Sequence, residues 1–310
     1  MAKETTQTTP GYERTGRSLS DIIFDKIVFV VLTLIFIAVA YPLYFIIISS
    51  FSDPVKVASG QVLFWPQGLT LEGYEKVFGT KTVMRGFMNS VYYTVVGVII
   101  NLAVTLPTAY ALSRDDFFGR RPVTIFYIIT MFVSGGLIPT YMVIRSLGML
   151  DTIWSLVIPG ALSVYNVMVA RTFFKVNIPT EMLDAARIDG CSDTRFFIKI
   201  VLPVSAAIIA ILVLWCGVGH WNSYFSALLY ISSRERQPLQ MELRAILLQT
   251  EEVVGMVMTA EAMAERQRLE AMRELMKYSL IIVANLPLMI LYPFIQKHFV
   301  KGVQIGSLKG

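Results

Sequence analysis

The sequence predicts an all-α integral membrane protein of six transmembrane helices, and three observations predict it. Hydrophobic residues fill 55% of the 310 positions and charged residues only 16%, a balance too apolar for ordinary soluble domains. Six long runs contain no Asp, Glu, Lys or Arg. The 27 lysines and arginines are scattered between those runs and form no basic stripe. The net charge of +5 and the pI near 9.1 therefore belong to the ends of membrane spans, with lipid as the expected partner and no nucleic acid.

A helix crossing roughly 30 Å of hydrocarbon needs about 20 mostly apolar residues. The runs extend from Ile27 to Ile48, Met88 to Leu112, Val123 to Ile144, Ile153 to Ala170, Pro203 to Gly219, and Ser279 to Gln296. In the first, Ala38-Val39-Ala40 resembles a signal-peptidase site, but apolar residues continue to Ile48 and the 26-residue lead carries acids as well as bases. An uncleaved anchor is the better reading. Six spans put both termini on one side. With the termini inside, lysines and arginines divide 15 inside to 12 outside, and seven of the outer ones fall in one long segment, where the positive-inside rule counts them less. That places both termini in the cytoplasm.

The organisation expected is a disordered, cytoplasmic N-terminal tail over residues 1–26, a six-span domain over 27–300, and a cytoplasmic tail over 301–310. Within the domain, residues 222–278 form a long extracytoplasmic segment. Its portion from Glu251 to Lys277 reads as a charged helix with Val254, Met258, Met263, Leu269, Met272 and Leu275 among the charges. Two readings stay open for it: a solvated amphipathic helix over the bundle, or a docking surface for an external partner.

Catalysis has little to work with. Cys191 and Cys216 have no metal-ligand spacing, and His220 and His298 are the only histidines, so neither a metal cluster nor a histidine triad can be assembled. No catalytic residue, metal or cofactor is expected in the chain. No Gly-x-x-x-x-Gly-Lys-Ser/Thr loop is present to cradle ATP phosphates, and the six runs hold no ionisable group except His220 at a span end. Proton or sodium coupling within the membrane is thereby disfavoured, and the driving energy must come from another subunit.

Local signals are densest between the fourth and fifth runs, over residues 177–203. Pro179 suits a first helical position, Glu181 complements the helix dipole, and Gly190 is a left-handed stop. Ser192 can cap a second short helix whose Phe196, Phe197 and Ile200 make an apolar face before Pro203 opens the fifth span. The turn would present Ala185, Ala186 and Gly190 as a small-residue surface flanked by Asp184, Arg187 and Asp189. Two readings stand side by side: an ordinary connector, or a seat for another protein.

The spacing Asp184-Ala185-Ala186, three residues, Gly190, nine residues, Ile200, one residue, Leu202-Pro203 resembles the EAA signature of permease subunits in bacterial ABC importers. It differs at Asp184 alone, where that family usually has Glu. Ser134 to Tyr141 and the tail from Tyr292 to Gly310 are similar to the carbohydrate-uptake branch, and within it to permeases of the aldouronate and complex-polysaccharide type related to the maltose permeases. The resemblance implies a multi-pass subunit of the bacterial plasma membrane, not an enzyme, that forms half of a pathway for a sugar or oligosaccharide. It implies three partners: a cytoplasmic ATPase dimer holding ATP and Mg, a second related permease, and an extracytoplasmic substrate-binding protein. It assigns Glu181, Asp184, Ala185, Ala186, Asp189, Gly190, Leu202 and Pro203 to ATPase coupling, and sends the tail from Lys301 to Gly310 toward the ATPase interface.

Candidate pathway groups are polar or aromatic residues in and beside the runs: Tyr165, Asn166, Trp215, Trp221, Asn222 and Asn285, with Asn101 and Tyr110. Rings stack on the apolar face of a sugar and amides bond its hydroxyls. Each also suits a helix–helix contact or an interfacial anchor. A transporter of another solute class, a secondary carrier and a membrane scaffold are the rival readings.

Overall fold

The structure is a computed structural model that describes residues 19–248 and 260–307, with backbone alone at 247–248, 260–266 and 294–307. Every regular element among the described residues is a helix. Helix α1, Leu19–Ser50, runs unbroken through Pro42, with Asp21 in its first turn. Residues 19–26, expected in a disordered tail, are instead helical, the opening turns of α1; 1–18 lie outside the described residues. Ala38-Val39-Ala40 sits midway along α1. Only Ile48, Ser49 and Ser50 of this helix are buried, so it offers an apolar rod to whatever surrounds it.

Asp53 then caps α2, Pro54–Ala58, by accepting hydrogen bonds from the amides of Val55 (2.9 Å) and Lys56 (3.2 Å). Helix α3, Glu72–Gly79, leads into α4, Lys81–Ser113, which contains the second expected span. Gly86, Ser90, Tyr93, Gly97, Asn101, Thr105 and Ala109 of α4 recur every three or four residues and are buried. Small and polar residues on one stripe let neighbouring helices approach closely in a membrane bundle. Accordingly α4 is the hub, touching α3 and, as placed below, five further helices and a 3-10 turn.

The third and fourth expected spans are not continuous rods. Helix α5, Arg120–Phe132, and α6, Leu137–Ser146, meet at a bend of 114°. Ser134-Gly135-Gly136 separates them, Gly136 has φ +83, and Pro139 falls in the first turn of α6, where its missing amide costs no hydrogen bond. The fourth run divides into α7, Trp154–Val157, and α8, Val164–Asn177, around Pro159 and Gly160. Asn101 Nδ2 donates to the carbonyls of Gly160 (2.7 Å) and Ala161 (3.0 Å), satisfying acceptors that this break frees.

Beyond α8 come α9, Thr180–Ile188, and α10, Asp193–Phe196. A π turn at Phe197–Val201 precedes α11, Leu202–Val204. Proline at 203 lacks an amide and crowds the carbonyl four residues back, which accounts for the widened turn before it. Helix α12, Ala206–Trp221, then departs at 81°. The fifth run is therefore bent between Val204 and Ala206, just after Pro203. Short α13, Tyr224–Tyr230, and α14, Leu239–Leu248, follow, and α15, Ala260–Ser307, closes the chain. The hub α4 packs against α5, α7, α8, α12 and α14, and a 3-10 turn at Arg234–Arg236 also lies on it.

From Ala260 onward the charged segment and the last apolar run are one helix, α15, packed on α1, α2, α3, α12 and α14. Of the apolar residues expected on its face, Leu275 is buried while Leu269 is exposed; Val254 and Met258 lie outside the described residues. Gly73 of α3 allows the close approach to α15, because a Cβ there would meet Ser279 Oγ at 2.3 Å. By length and composition, α1, α4 and residues 267–293 can cross a membrane, and up to five spans result if each bent pair counts as one.

Candidate functional site

Residues 177–203 fold as the capping signals dictate, with one shift: Pro179 is the N-cap of α9, not its first helical residue. At the other end the amide of Gly190 donates to Arg187 (3.0 Å) and that of Cys191 to Ala186 (2.9 Å), with Gly190 at φ +73. This is a Schellman turn, which satisfies carbonyls that the helix end would leave open. Ser192 Oγ then accepts from the Arg195 amide (3.4 Å) and caps α10. Helix, turn and helix are closed by bonds local to the segment.

Its two faces differ. Leu183, Ala186 and Phe196 are buried against Leu112 of α4 and Phe174 of α8. Ala186 thus faces the bundle, which corrects the expectation that it shares an outer surface with Ala185 and Gly190. Glu181, Asp184, Ala185, Asp189 and Gly190 remain exposed, and a Cβ at Gly190 would meet nothing within 4 Å. Leu202 is half-buried, and Pro203 is exposed at the bend. Full burial of a Leu side chain is worth about 1.5–3 kcal/mol, against about 0–1 kcal/mol for an exposed ion pair, so Leu183 anchors α9 more than any single charge does.

Charges set its angle. Arg114, just past α4, pairs with Asp116 and, at 3.1 Å, with Asp193 of α10. Arg187 of α9 reaches Asp116 at 3.1 Å and Asp193 at 3.5 Å. The Arg114 guanidinium also lies 5.8 Å from the centre of the Tyr110 ring. Hydrogen bonding to Arg114, and next to Arg187, holds the Asp116 carboxyl below the usual carboxylate range against the desolvation that raises it. Bonding to Asp116 in turn pushes the Arg114 guanidinium up. In the sequence Arg114 is one of the 15 basic residues assigned to the inside, and nothing singled out Asp116 or Asp193; the available signal was a pair of acids, Asp115 and Asp116, in a linker that also holds Arg114, Arg120 and Arg121.

The pathway candidates do not converge on one place. Tyr165 and Trp215 meet with ring centres 5.5 Å apart, both partly exposed. Asn166 is buried and donates to Cys216 Sγ at 3.6 Å. Trp221 is committed to packing: its Nε1 donates to Ala284 O at 2.9 Å and its ring meets Phe87 edge-on. Asn222 accepts from Gln240 at 3.2 Å beside the end of α12. Asn285 Nδ2 bonds back to Ile281 O within its own helix. Tyr110 meets Phe174 edge-on and Phe197 at a tilt in the core under the loop. Asn101 Oδ1 meets His220 Nε2 at 2.7 Å, and the imidazole lies so close to Gly97 that a Cβ there would come within 2.5 Å.

On the opposite side of the hub, Asp151 adopts φ +56 and accepts from the amides of Ser232 (3.1 Å) and Ser233 (2.9 Å) while pairing with Arg236. These bonds, the Ser233 hydroxyl first, lower the Asp151 carboxyl below its ordinary range. No group of three or more His, Cys, Asp or Glu among the described residues could hold a metal ion.

No family model matches the chain. Curated relatives do. The polygalacturonan/rhamnogalacturonan transport system permease protein YtcP of Bacillus subtilis (strain 168) is 35% identical over 288 residues, covering 93% of this chain and 99% of that one. Protein LplC of the same organism is 39% identical over 269 residues, covering 87% and 89%. Among solved structures, a bacterial ABC transporter involved in the import of the acidic polysaccharide alginate superposes with a TM-score of 0.81 and 29% identity, covering 92% of this chain and 99% of that one. The chain belongs to the family of carbohydrate ABC transporter permease proteins and is a multi-pass transport subunit of the bacterial plasma membrane, not an enzyme.

Proposed function

We propose that this permease forms half of the pathway for an oligosaccharide released from a complex, uronate-containing polysaccharide, and that α9 is the handle by which a separate ATPase drives it. The single observation that carries this reading is the two-faced helix–turn–helix: one side anchored by Leu183, the other presenting Glu181, Asp184, Ala185, Asp189 and Gly190 outward. The three carboxylates make no ion pair within the described chain, which suits them to basic groups on a partner. Leu202 and Pro203 would contribute at the bend that links the handle to α12. The substrate class follows the relatives named for polygalacturonan and alginate.

In this reading the chain crosses the membrane six times, each broken run counting as one crossing. Both termini and residues 177–203 lie in the cytoplasm, while 222–278 lie outside, where a substrate-binding protein delivers the solute. A second, related permease supplies the other half of the pathway, ATP and Mg are held by the ATPase dimer, and the exposed face of α1 meets lipid. The Tyr165–Trp215 pair is the best placed of the pathway candidates, since its rings touch and stay accessible.

Purification of the complex from membranes, identification of the bound chains, and uptake into proteoliposomes with ATP on the α9 side test the proposal together. Expected are a nucleotide-hydrolysing subunit in the complex and receptor-dependent oligosaccharide uptake. Gradient-driven uptake by the chain alone, or external labelling of a cysteine placed at Asp184, would overturn it.

A further inference from the structure

The ion pairs beneath α9 form a closed square across two segments far apart in sequence. Arg114 and Asp116 belong to the linker between α4 and α5, and Arg187 and Asp193 flank the turn after α9. Signs alternate around the square, so each charge has two opposite neighbours and no like one adjacent. The Arg114 side chain is only 15% exposed, and Arg171 Nε of α8 donates to Leu112 O at 2.9 Å beside it, so the square sits against the end of the hub helix. Exposed pairs contribute little singly, but here four are joined in one network and the Arg114–Asp116 pair is bidentate, which restricts orientation.

We infer that the square of Arg114, Asp116, Arg187 and Asp193 makes the coupling helix and the α4–α5 linker a single moving body, so that a displacement of α9 reaches α4 and α5 directly. Without it, motion would pass to the hub through the α11–α12 bend and the apolar seat of Leu183. The inference rests on the proposed docking of α9 to the ATPase. The four residues are positioning residues: they touch neither solute nor nucleotide.

The test uses the whole reconstituted transporter with three variants of this chain: Arg187→Gln, the double Asp116→Asn/Asp193→Asn, and the triple. Solute moved per ATP hydrolysed is expected to fall about three- to tenfold in each, the size of an ordinary coupling term. The amount of ATPase that co-purifies should not change. Because the residues act as one network, the triple should be no worse than Arg187→Gln, and Asp116→Glu should keep more than half of the wild-type ratio. An unchanged ratio in all variants, or additive losses in the triple, would overturn the inference.

A second arm does not depend on how well those variants accumulate. Cysteines at 116 and 187 in a Cys191→Ser chain, Cys216 being buried, should uncouple transport until a short thiol-reactive bridge joins them and restores it. Loss of transport on bridging, with the ATPase still bound, would show that the two segments must part. If the wild-type chain itself carries no nucleotide-hydrolysing subunit, the docking reading fails instead, and the two failures are told apart.

Discussion

The turn at Gly190 and the bend at Gly136 both depend on left-handed glycine backbone, at φ +73 and φ +83, yet they stand in opposite surroundings. Around Gly190 the chain is pinned: two turn bonds close the helix end, Leu183, Ala186 and Phe196 are buried, and four charges brace the outer side. Around Gly136 nothing of α5 is buried, and only Ile144 of α6 is. The first region is a stiff lever fastened to the hub. The second is left largely uncovered by the rest of the described chain. Glycine permits a turn in either place, and the packing beside it decides whether that turn transmits force.

The sharpest test of the contrast substitutes both glycines. Gly190→Val places a β-branched residue where left-handed backbone costs roughly 1–2 kcal/mol, and it reshapes the surface proposed to meet the ATPase. ATP-driven uptake and ATPase co-purification are expected to fall about tenfold or more, within the usual range of coupling terms. Gly136→Ala meets backbone strain at least as large, since φ +83 with ψ 176 is nearly closed to residues with a Cβ, and it too has no atom within 4 Å of the new Cβ. Lying away from the proposed docking face, it should keep more than half of the uptake. Equal losses in the two variants would break the comparison.

Next in size is Asp184→Lys, which reverses an exposed charge without touching the buried seat. About a three- to tenfold loss of ATPase co-purification is expected, smaller than at Gly190, with unchanged thermal stability of the isolated chain. A stability loss equal to the coupling loss would place Asp184 in the fold and not at a docking face.

Asn101→Leu sharpens the contrast from the membrane side. It strips hydrogen bonds from the carbonyls of Gly160 and Ala161 and from His220, at about 1–3 kcal/mol for the groups left unsatisfied. A lower unfolding midpoint in detergent, with ATPase association preserved, is the expected outcome. Lost association at wild-type stability would contradict it.

The smallest effect concerns pH. The Asp116 carboxyl is held below the ordinary value near 4, so its contribution is present above that pH and is lost only as pH falls through the lower, folded-state value. Solute moved per ATP should therefore show no step between pH 5.5 and 8 that disappears in Asp116→Asn. A step that does disappear there would mean the carboxyl titrates in that window.

Residues 177–203 were legible because their signals are local. A proline at the N-cap, a glycine two places past the last helical residue and a serine three residues before Arg195 each act over one turn. The extent of the breaks in the third and fourth runs was not legible, because hydropathy reports burial in hydrocarbon and says nothing of backbone continuity. Ser134 to Gly136 and Pro159-Gly160 are as free of charge as the helices beside them. Pathway residues were equally opaque, since an amide such as Asn166 reads the same whether it meets a sugar or, as here, Cys216.

By itself the sequence determined that the chain lives in a membrane, that its chemistry is not catalytic, and that a capped helix–turn–helix stands between the fourth and fifth runs. Those properties follow from composition and from contacts a few residues apart. Only the tertiary structure decided that Ala186 turns inward, that Asn101 closes the broken fourth run, and that Arg114 and Asp116 meet Arg187 and Asp193 across long stretches of chain, 71 positions for the Arg187–Asp116 bond. Such pairings depend on how α4, α8 and α9 cross, and no periodicity within one segment encodes the crossing of three.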